Sequence, residues 1–241
     1  MKALTLVGIT LSSGVIAGII LAFLNLGIVE PTIDKAIALE VQNQVSSGEN
    51  VNMSELIDYR YWQKGGALVG GAIYGAGLAA LFGVIFVFAR NNLPGKNNKR
   101  KAIFLAGIMW FVLFLMVALK YPANPPAVGD PETIYYRETL YVGYILISGF
   151  AALGMAILWI RTRMNSKKIT IPLMYAAIMV TAFVVMPSNP DKIEISMDLI
   201  QTFRILTAIT IGIFWGVLGI IFGLLWDKFL SREQTVPAKL H

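Results

Sequence analysis

Long uncharged apolar runs constrain the fold of this chain more than any other feature. Six runs are at least 18 residues long, and none contains Asp, Glu, Lys or Arg. They cover residues 4–29, 65–89, 102–119, 139–160, 169–186 and 205–226. About 20 apolar residues cross a bilayer as a helix, whereas an irregular backbone finds no hydrogen-bonding partner in lipid. The runs are also too long and too uniform for barrel strands. The sequence therefore predicts an all-α integral membrane protein, a six-transmembrane-helix bundle that forms a single membrane domain over residues 1–241.

The first run has a second interpretation as a signal peptide, because Lys2 precedes it. The run is 26 residues long, however, and no A-x-A cleavage pattern follows it. We therefore expect an uncleaved first span.

Charged residues divide unequally between alternate connecting segments. Segments 90–101 and 161–168 and the tail 227–241, together with Lys2, hold 13 of the 20 Lys and Arg residues. The other segments hold 12 of the 14 Asp and Glu residues. Basic segments beside spans stay in the cytoplasm. We therefore expect a multi-pass plasma-membrane protein with both termini cytoplasmic, whose basic segments attract anionic lipid and not nucleic acid.

Aromatic side chains flank the predicted spans, as rings at a membrane interface do. Those at the predicted outer ends are Tyr59, Tyr61, Trp62, Tyr121, Tyr135 and Tyr136, and those at the inner ends are Trp159 and Trp226.

The side chains needed for most enzymatic chemistry are missing. The chain has no cysteine, and its one histidine is the last residue, His241. It contains neither a P-loop nor an HExxH motif, and no ionisable residue lies inside a predicted span. We therefore expect neither an enzyme nor a tightly bound cofactor. Carboxylate and carbonyl oxygens suit divalent cations, and sulfur is present only as ten methionines.

The segment 30–64 is the longest predicted outer loop. Pro31 is expected to end the first helix. Apolar residues at 33, 36, 37 and 41 then predict a short amphipathic helix, which Ser46–Gly48 ends. Ser54 is a candidate cap for the second span.

Glycines spaced four apart predict close packing between spans, because small residues let helix backbones approach in lipid. The expected packing residues are Gly66, Gly70, Gly71, Gly75, Gly212 and Gly216, and Gly14/Gly18 and Gly219/Gly223 repeat the spacing. A second interpretation is a hinge or path that needs bare backbone.

Each predicted outer loop opens with proline and closes with arginine. The arginines are Arg60, Arg137 and Arg204. The pattern is typical of a parallel hairpin repeat, as in transporters, and equally of prolines that end helices and arginines that anchor interfaces. Arg137 is placed to pair with Asp130, Glu132 or Glu30, or to hold carbonyls at helix ends.

Two stretches carry a family resemblance. GIVEPTIDKAIALE (27–40) and KYPANPPAVGDPETI (120–134) with Arg137 resemble the segments after the first span and in an outer loop of CbtA proteins, predicted cobalt transporter subunits. The glycine-rich second span after Arg60 also fits. The resemblance implies a role in cobalt supply for cobalamin. It also implies a small single-span partner, CbtB, with a histidine-rich metal-binding end.

These observations lead to a site hypothesis and an alternative. The hypothesis is an outward vestibule for Co²⁺ that Arg60, Arg137 and Arg204 brace; its residues are Glu30, Asn124, Asp130, Glu132, Asn189 and Asp191. The same residues could instead form structural salt bridges at an interface. The alternative function is an accessory or scaffold subunit that holds a partner and moves no ion, and homo-oligomerisation stays open.

Overall fold

A computed structural model describes residues 3–48, 50–126, 128–163, 165–191 and 195–235 of the chain. Lys2, Glu49, Glu194, Lys239 and His241, which entered the charge analysis, lie outside these residues, as does the predicted tail beyond Thr235. Within the described part the fold is all helical. Its six helices that are long and apolar enough to span a membrane contain the six predicted spans, apart from Met186 at one end.

The first spanning helix is longer than the sequence predicts. It runs from α1 (Ala3–Leu24) through a π-helical turn (Asn25–Val29) into α2 (Glu30–Ser46). The prediction that Pro31 ends this helix is wrong. Pro31 lies in the first turn of α2, where a missing N–H breaks little, and the π turn before it already shifts the hydrogen bonds. The predicted end at Ser46 is confirmed.

The second span belongs to α3 (Met53–Ala89). Its N-cap is Asn52, whose side chain accepts a hydrogen bond from the Glu55 N–H, and not the predicted Ser54. At 37 residues α3 is about 55 Å long, well beyond a hydrocarbon core of about 30 Å, so part of it extends past any bilayer that it crosses.

The third span is divided by a second π-helical turn. It consists of α4 (Asn98–Trp110), the turn Phe111–Leu115 and α5 (Met116–Lys120). A 3-10 turn (Pro131–Thr133) leads into α6 (Ile134–Arg161), and α7 (Lys167–Val185) and α8 (Met197–Thr235) follow. Because α8 continues to Thr235, the first part of the predicted tail 227–241 is helical.

Two compact units share the chain. Unit 1 is drawn from Met1–Pro31, Val41–Met109 and Ile209–His241, and unit 2 from Thr32–Glu40 and Trp110–Ala208.

In unit 1, α1 lies directly against α3. An added Cβ on Gly71 would lie 2.6 Å from the Gly18 carbonyl oxygen, and one on Gly83 would lie 2.6 Å from the Thr10 hydroxyl. Four rings of α3 and α8 form the aromatic part of the core: Phe82, Phe86, Phe222 and Trp226. Trp226 is 3% exposed and so does not lie at the surface that the sequence predicts for it.

In unit 2, an apolar cluster lies at one end of α5, α6 and α7. It contains Val117, Tyr121, Leu140, Tyr144, Met179 and Ala182. Tyr121 is therefore buried, whereas Tyr135 and Tyr136 stay exposed.

Candidate functional site

Asp191 is the best-enclosed of the predicted site carboxylates, and its side chain is 5% exposed. It lies in unit 2 beside one arginine and two hydrogen-bond donors. Arg137 Nε is 2.9 Å from Oδ2, the Asp130 N–H donates to Oδ2 at 3.0 Å, and the Thr133 hydroxyl donates to Oδ1 at 2.7 Å. This set of partners offsets the cost of burying a carboxylate.

Arg137 joins this carboxylate to the loop that precedes α6. Its Nη2 donates to the Asp130 carbonyl at 3.0 Å, so it holds a backbone carbonyl as the sequence allows. Its acidic side-chain partner is Asp191, in place of the predicted Asp130, Glu132 or Glu30. Gly129 makes the geometry possible. Its φ is +104°, and an added Cβ would lie 2.6 Å from Arg137 Nη1.

Arg204 of α8 makes a second contact of this kind within unit 2. Its Nη2 donates to Asn124 Oδ1 at 2.8 Å, and its Nε donates to the Ala123 carbonyl at 3.2 Å. The Tyr121 hydroxyl donates to the Pro187 carbonyl at 2.6 Å. Burial, and secondarily Tyr136, raises the pKa of Tyr121 above its usual 10.0, so the hydroxyl keeps its proton at neutral pH.

Three other predicted site residues have local roles. The Asp130 carboxylate accepts from the Glu132 N–H at 2.8 Å and caps the 3-10 turn at Pro131–Thr133. The Glu132 side chain is exposed. Asn189 Oδ1 accepts from the Asp191 N–H at 3.0 Å and so shapes the backbone beside the buried carboxylate.

Glu30 and Arg60 lie in unit 1, where they form an ion pair. Each side chain is 15% exposed, and Lys64 Nζ is 3.8 Å from the same Glu30 oxygen. Arg60 also donates to Gln63 Oε1 at 2.8 Å. Glu30 is the first residue of α2 after the π turn, and its N–H donates to the Asn25 carbonyl.

The carboxylates are used mainly for contacts within the protein. Among the described residues, no group of three or more His, Cys, Asp or Glu side chains is placed to hold a metal ion. Glu30 and Asp191, the two predicted metal ligands with the strongest protein partners, each face an arginine. An arginine paired with a carboxylate lies where a cation would have to bind.

Five of the six predicted packing glycines, all except Gly212, divide into two groups. Gly71 and Gly75 lie in the α1 contact together with Gly14 and Gly18. At Gly66, Gly70 and Gly216, by contrast, an added Cβ would meet no described atom within 4 Å. The closest approaches of α8 occur further along, at Gly219 and Gly223, where an added Cβ would lie 2.8 Å from Ala106 Cβ and 2.5 Å from Lys99 Cα.

Asp227 makes a contact between helices that the sequence does not predict. Its carboxylate accepts from the Asn98 and Lys99 N–H groups at 3.3 and 3.1 Å and from Asn98 Nδ2 at 2.8 Å, so α8 caps the start of α4. A charged residue just after an apolar run, opposite the helix start at Asn98, is a weak signal for this contact.

A polar contact between helices lies at the second π turn. The Ser148 hydroxyl donates to the Val112 carbonyl at 2.6 Å and lies 2.8 Å from the Tyr175 hydroxyl. A π turn alters the regular ladder of helix hydrogen bonds, and a serine on the neighbouring helix satisfies one of its carbonyls.

Six membrane-length apolar helices with short polar connections define a multi-pass helical membrane protein. The sequence profile of a family described as "Probable cobalt transporter subunit (CbtA)" matches residues 3–227, nearly the whole chain. The chain belongs to the CbtA family. This is a family of transporter subunits and not of enzymes. Neither a curated protein nor a solved structure matches the chain.

Proposed function

We propose that the chain is the membrane subunit of a Co²⁺ uptake system that supports cobalamin supply. Membership in the CbtA family, matched over residues 3–227, is the observation that carries this proposal. The six apolar helices supply a membrane body of the size that such a subunit needs. In this proposal residues 1–241 form one membrane domain in the plasma membrane, both termini are cytoplasmic, and Co²⁺ is the transported ion.

The outward vestibule is part of the proposal. The proposed cation-entry residues in unit 2 are Asn124, Asp130, Glu132, Asn189 and Asp191, braced by Arg137 and Arg204. The one in unit 1 is Glu30, braced by Arg60. The oxygen-rich side chains suit a divalent cation at the stage of entry, before any softer ligand is needed. The word "subunit" in the family description implies a further component, and a small single-span CbtB-like protein with a histidine-rich end fits that position.

The test is cobalt accumulation, measured by elemental mass spectrometry in cells that lack their own uptake systems. The chain is expressed alone and with the small partner, and nickel and zinc serve as competing ions. We expect cobalt-selective accumulation when both are present. If cobalt stays at background in both cases while the protein is in the membrane, the uptake proposal fails.

Single variants then test the vestibule. Glu30→Ala and Asp130→Ala are expected to lower uptake several-fold at unchanged protein level, because each removes a cation-attracting carboxylate. Asp58→Ala, an exposed carboxylate outside the proposed vestibule, is the matched control. Normal uptake in both vestibule variants would remove the vestibule from the proposal.

The second candidate is a scaffold subunit that moves no ion. The observation in its favour is that Glu30 and Asp191 each face an arginine, as purely structural carboxylates do. Copurification of a stable complex, with uptake unaffected by every vestibule variant, is the result that this candidate predicts.

A further inference from the structure

In unit 2, Arg137 and Arg204 each contact a loop other than the one that precedes them in the sequence. We name residues 121–126 and 128–130 loop A, and residues 186–191 loop B. Arg137 follows loop A in the sequence but binds Asp191 of loop B. Arg204 follows loop B but binds Asn124 and Ala123 of loop A. Arg137 also donates to the Asp130 carbonyl of loop A, so it contacts both loops, whereas Arg204 contacts loop A.

Further contacts join the same two loops. The Asp130 N–H of loop A donates to Asp191, and the Tyr121 hydroxyl of loop A donates to the Pro187 carbonyl of loop B. Tyr121 is also a member of the buried cluster of α5, α6 and α7. The loops therefore cover one end of that cluster, and separating them would expose it to water.

The two arginine contacts differ in the charge of the group that the arginine binds. Arg204 binds neutral oxygens, whereas Arg137 binds a carboxylate with a 5% exposed side chain. Asp191 accepts hydrogen bonds from the Asp130 N–H at Oδ2 and from the Thr133 hydroxyl at Oδ1, and Arg137 Nε lies 2.9 Å from Oδ2. A metal cation that binds Oδ2 therefore competes there with the Arg137 guanidinium and the Asp130 N–H.

We propose that the Arg137–Asp191 and Arg204–Asn124 contacts form a clasp that closes loop A onto loop B, and that a divalent cation opens it by taking Asp191 from Arg137. The closed and open forms are two populations, and a cation that binds only the open form shifts the balance toward it. The second half of this statement rests on the proposed function, whereas the clasp itself does not.

Cysteine accessibility tests the clasp without any transport assay. The natural chain has no cysteine, so a single introduced thiol is the only one present. Val117→Cys places it in the cluster beneath the loops, at a fully buried position. Two further variants are controls: Ser13→Cys is buried in unit 1, and Glu138→Cys is exposed on α6. Each is made in the full chain in detergent, and maleimide labelling rates are compared.

Opening of the clasp should appear as faster labelling at position 117. We expect Asp191→Asn and Arg137→Gln to raise this rate by about tenfold or more. Each change leaves the remaining charged side chain enclosed without an opposite charge beside it. Glu138→Gln, which alters a neighbouring exposed carboxylate, should leave it unchanged. Labelling at position 13 should stay slow in every background. An unchanged rate at 117 in both clasp variants would overturn the clasp.

A milder variant keeps the clasp testable if the charge-removing variants unfold the protein. If Asp191→Asn or Arg137→Gln speeds labelling at position 13, the protein has opened globally, and Thr133→Val decides instead. It removes the hydroxyl that donates to Asp191 and accepts from Arg137 Nε, and it keeps both charges. Faster labelling at 117 alone supports the clasp, and no change contradicts it.

Adding Co²⁺ tests the proposal that a divalent cation opens the clasp. Cobalt chloride should speed labelling at 117 several-fold in the chain with Asp191 but not with Asp191→Asn, whereas Mg²⁺ at equal concentration tests whether any divalent ion suffices. The Glu138→Cys rate corrects for direct binding of Co²⁺ to the thiol. If Co²⁺ leaves the 117 rate unchanged, cation opening is wrong even where the variants confirm the clasp. Cobalt uptake that fails while the labelling results hold would instead refute only the proposed function.

Discussion

Gly129 determines at the level of one residue whether Asp191 and Arg137 can meet. Its backbone has a φ of +104°, which side chains with a Cβ rarely adopt, and an added Cβ would clash with Asp191 Oδ2 and lie 2.6 Å from Arg137 Nη1. Gly129→Ala should therefore lower the free energy of unfolding by about 1–3 kcal/mol through backbone strain, with a further loss from the displaced guanidinium. Thermal unfolding in detergent measures the loss.

Gly48 provides the matched control for Gly129. It also has a positive φ, +86°, but an added Cβ there would meet no described atom within 4 Å. Gly48→Ala reports the backbone strain alone, so its effect should be the smaller. Equal losses in the two variants would mean that contact with Asp191 and Arg137 contributes nothing at Gly129.

The sequence identifies Arg137 as a bracing residue but does not identify its carboxylate partner. Glu132 and Asp130 are close along the chain, and charge alone favours such neighbours. Asp191 is the partner because the backbone turn at Gly129 directs the Asp130 N–H toward it and because Thr133 supplies another donor. Contacts of this kind depend on how separate loops fold together, which residue spacing does not reveal.

At the scale of helices, the contact between α1 and α3 depends on glycines that face each other. At Gly71 an added Cβ would lie 2.6 Å from the Gly18 carbonyl oxygen and 2.8 Å from Ala22 Cβ. Backbone atoms cannot move aside as a flexible side chain can. Gly71→Ala should therefore lower the free energy of unfolding by about 1–3 kcal/mol, measured by thermal unfolding in detergent.

The preceding residue is the control. Gly70→Ala meets no described atom within 4 Å and should be neutral or stabilising, because alanine favours helix over glycine by about 1 kcal/mol in water. A loss at Gly70 as large as that at Gly71 would show that the α1 contact is not the cause.

Asp227 connects two other helices of unit 1. Its carboxylate accepts the first N–H groups of α4, at Asn98 and Lys99. Asp227→Ala should destabilise the protein by about 0.5–2 kcal/mol, the usual cost of losing a helix N-cap. Asn91→Ala, at an exposed position in the connection between α3 and α4, serves as the control in thermal unfolding. No difference between the two variants would mean that the cap adds no stability.

Apolar run length predicts the spans well but not their ends or their faces. The rule that proline ends helices failed at Pro31, because a π turn at Asn25–Val29 lets the chain continue into α2. The glycine spacing correctly indicates that two residues share a face. It cannot distinguish Gly71 and Gly75, which meet α1, from Gly66 and Gly70, which do not, since the partner helix is absent from the pattern.

For the whole molecule, the physical basis of the successful prediction is simple. A run of 18 or more residues without charge has one low-energy arrangement in a bilayer, so all six spans follow from composition alone. The direction in which each span crosses depends on a weaker signal, the excess of Lys and Arg in alternate connections. Orientation therefore needs its own experiment.

Single cysteines can map the orientation, because the chain has none of its own. Asn91→Cys and Asn165→Cys lie in basic connections, whereas Ser47→Cys and Ser188→Cys lie in the alternate ones, and all four positions are exposed. If basic connections stay in the cytoplasm, a membrane-impermeant maleimide added to intact cells should label only positions 47 and 188. Positions 91 and 165 should react only after permeabilisation. The reverse pattern would mean that the protein has the opposite orientation. If only one member of a pair reacts in intact cells, the two positions are not separated by an even number of spans.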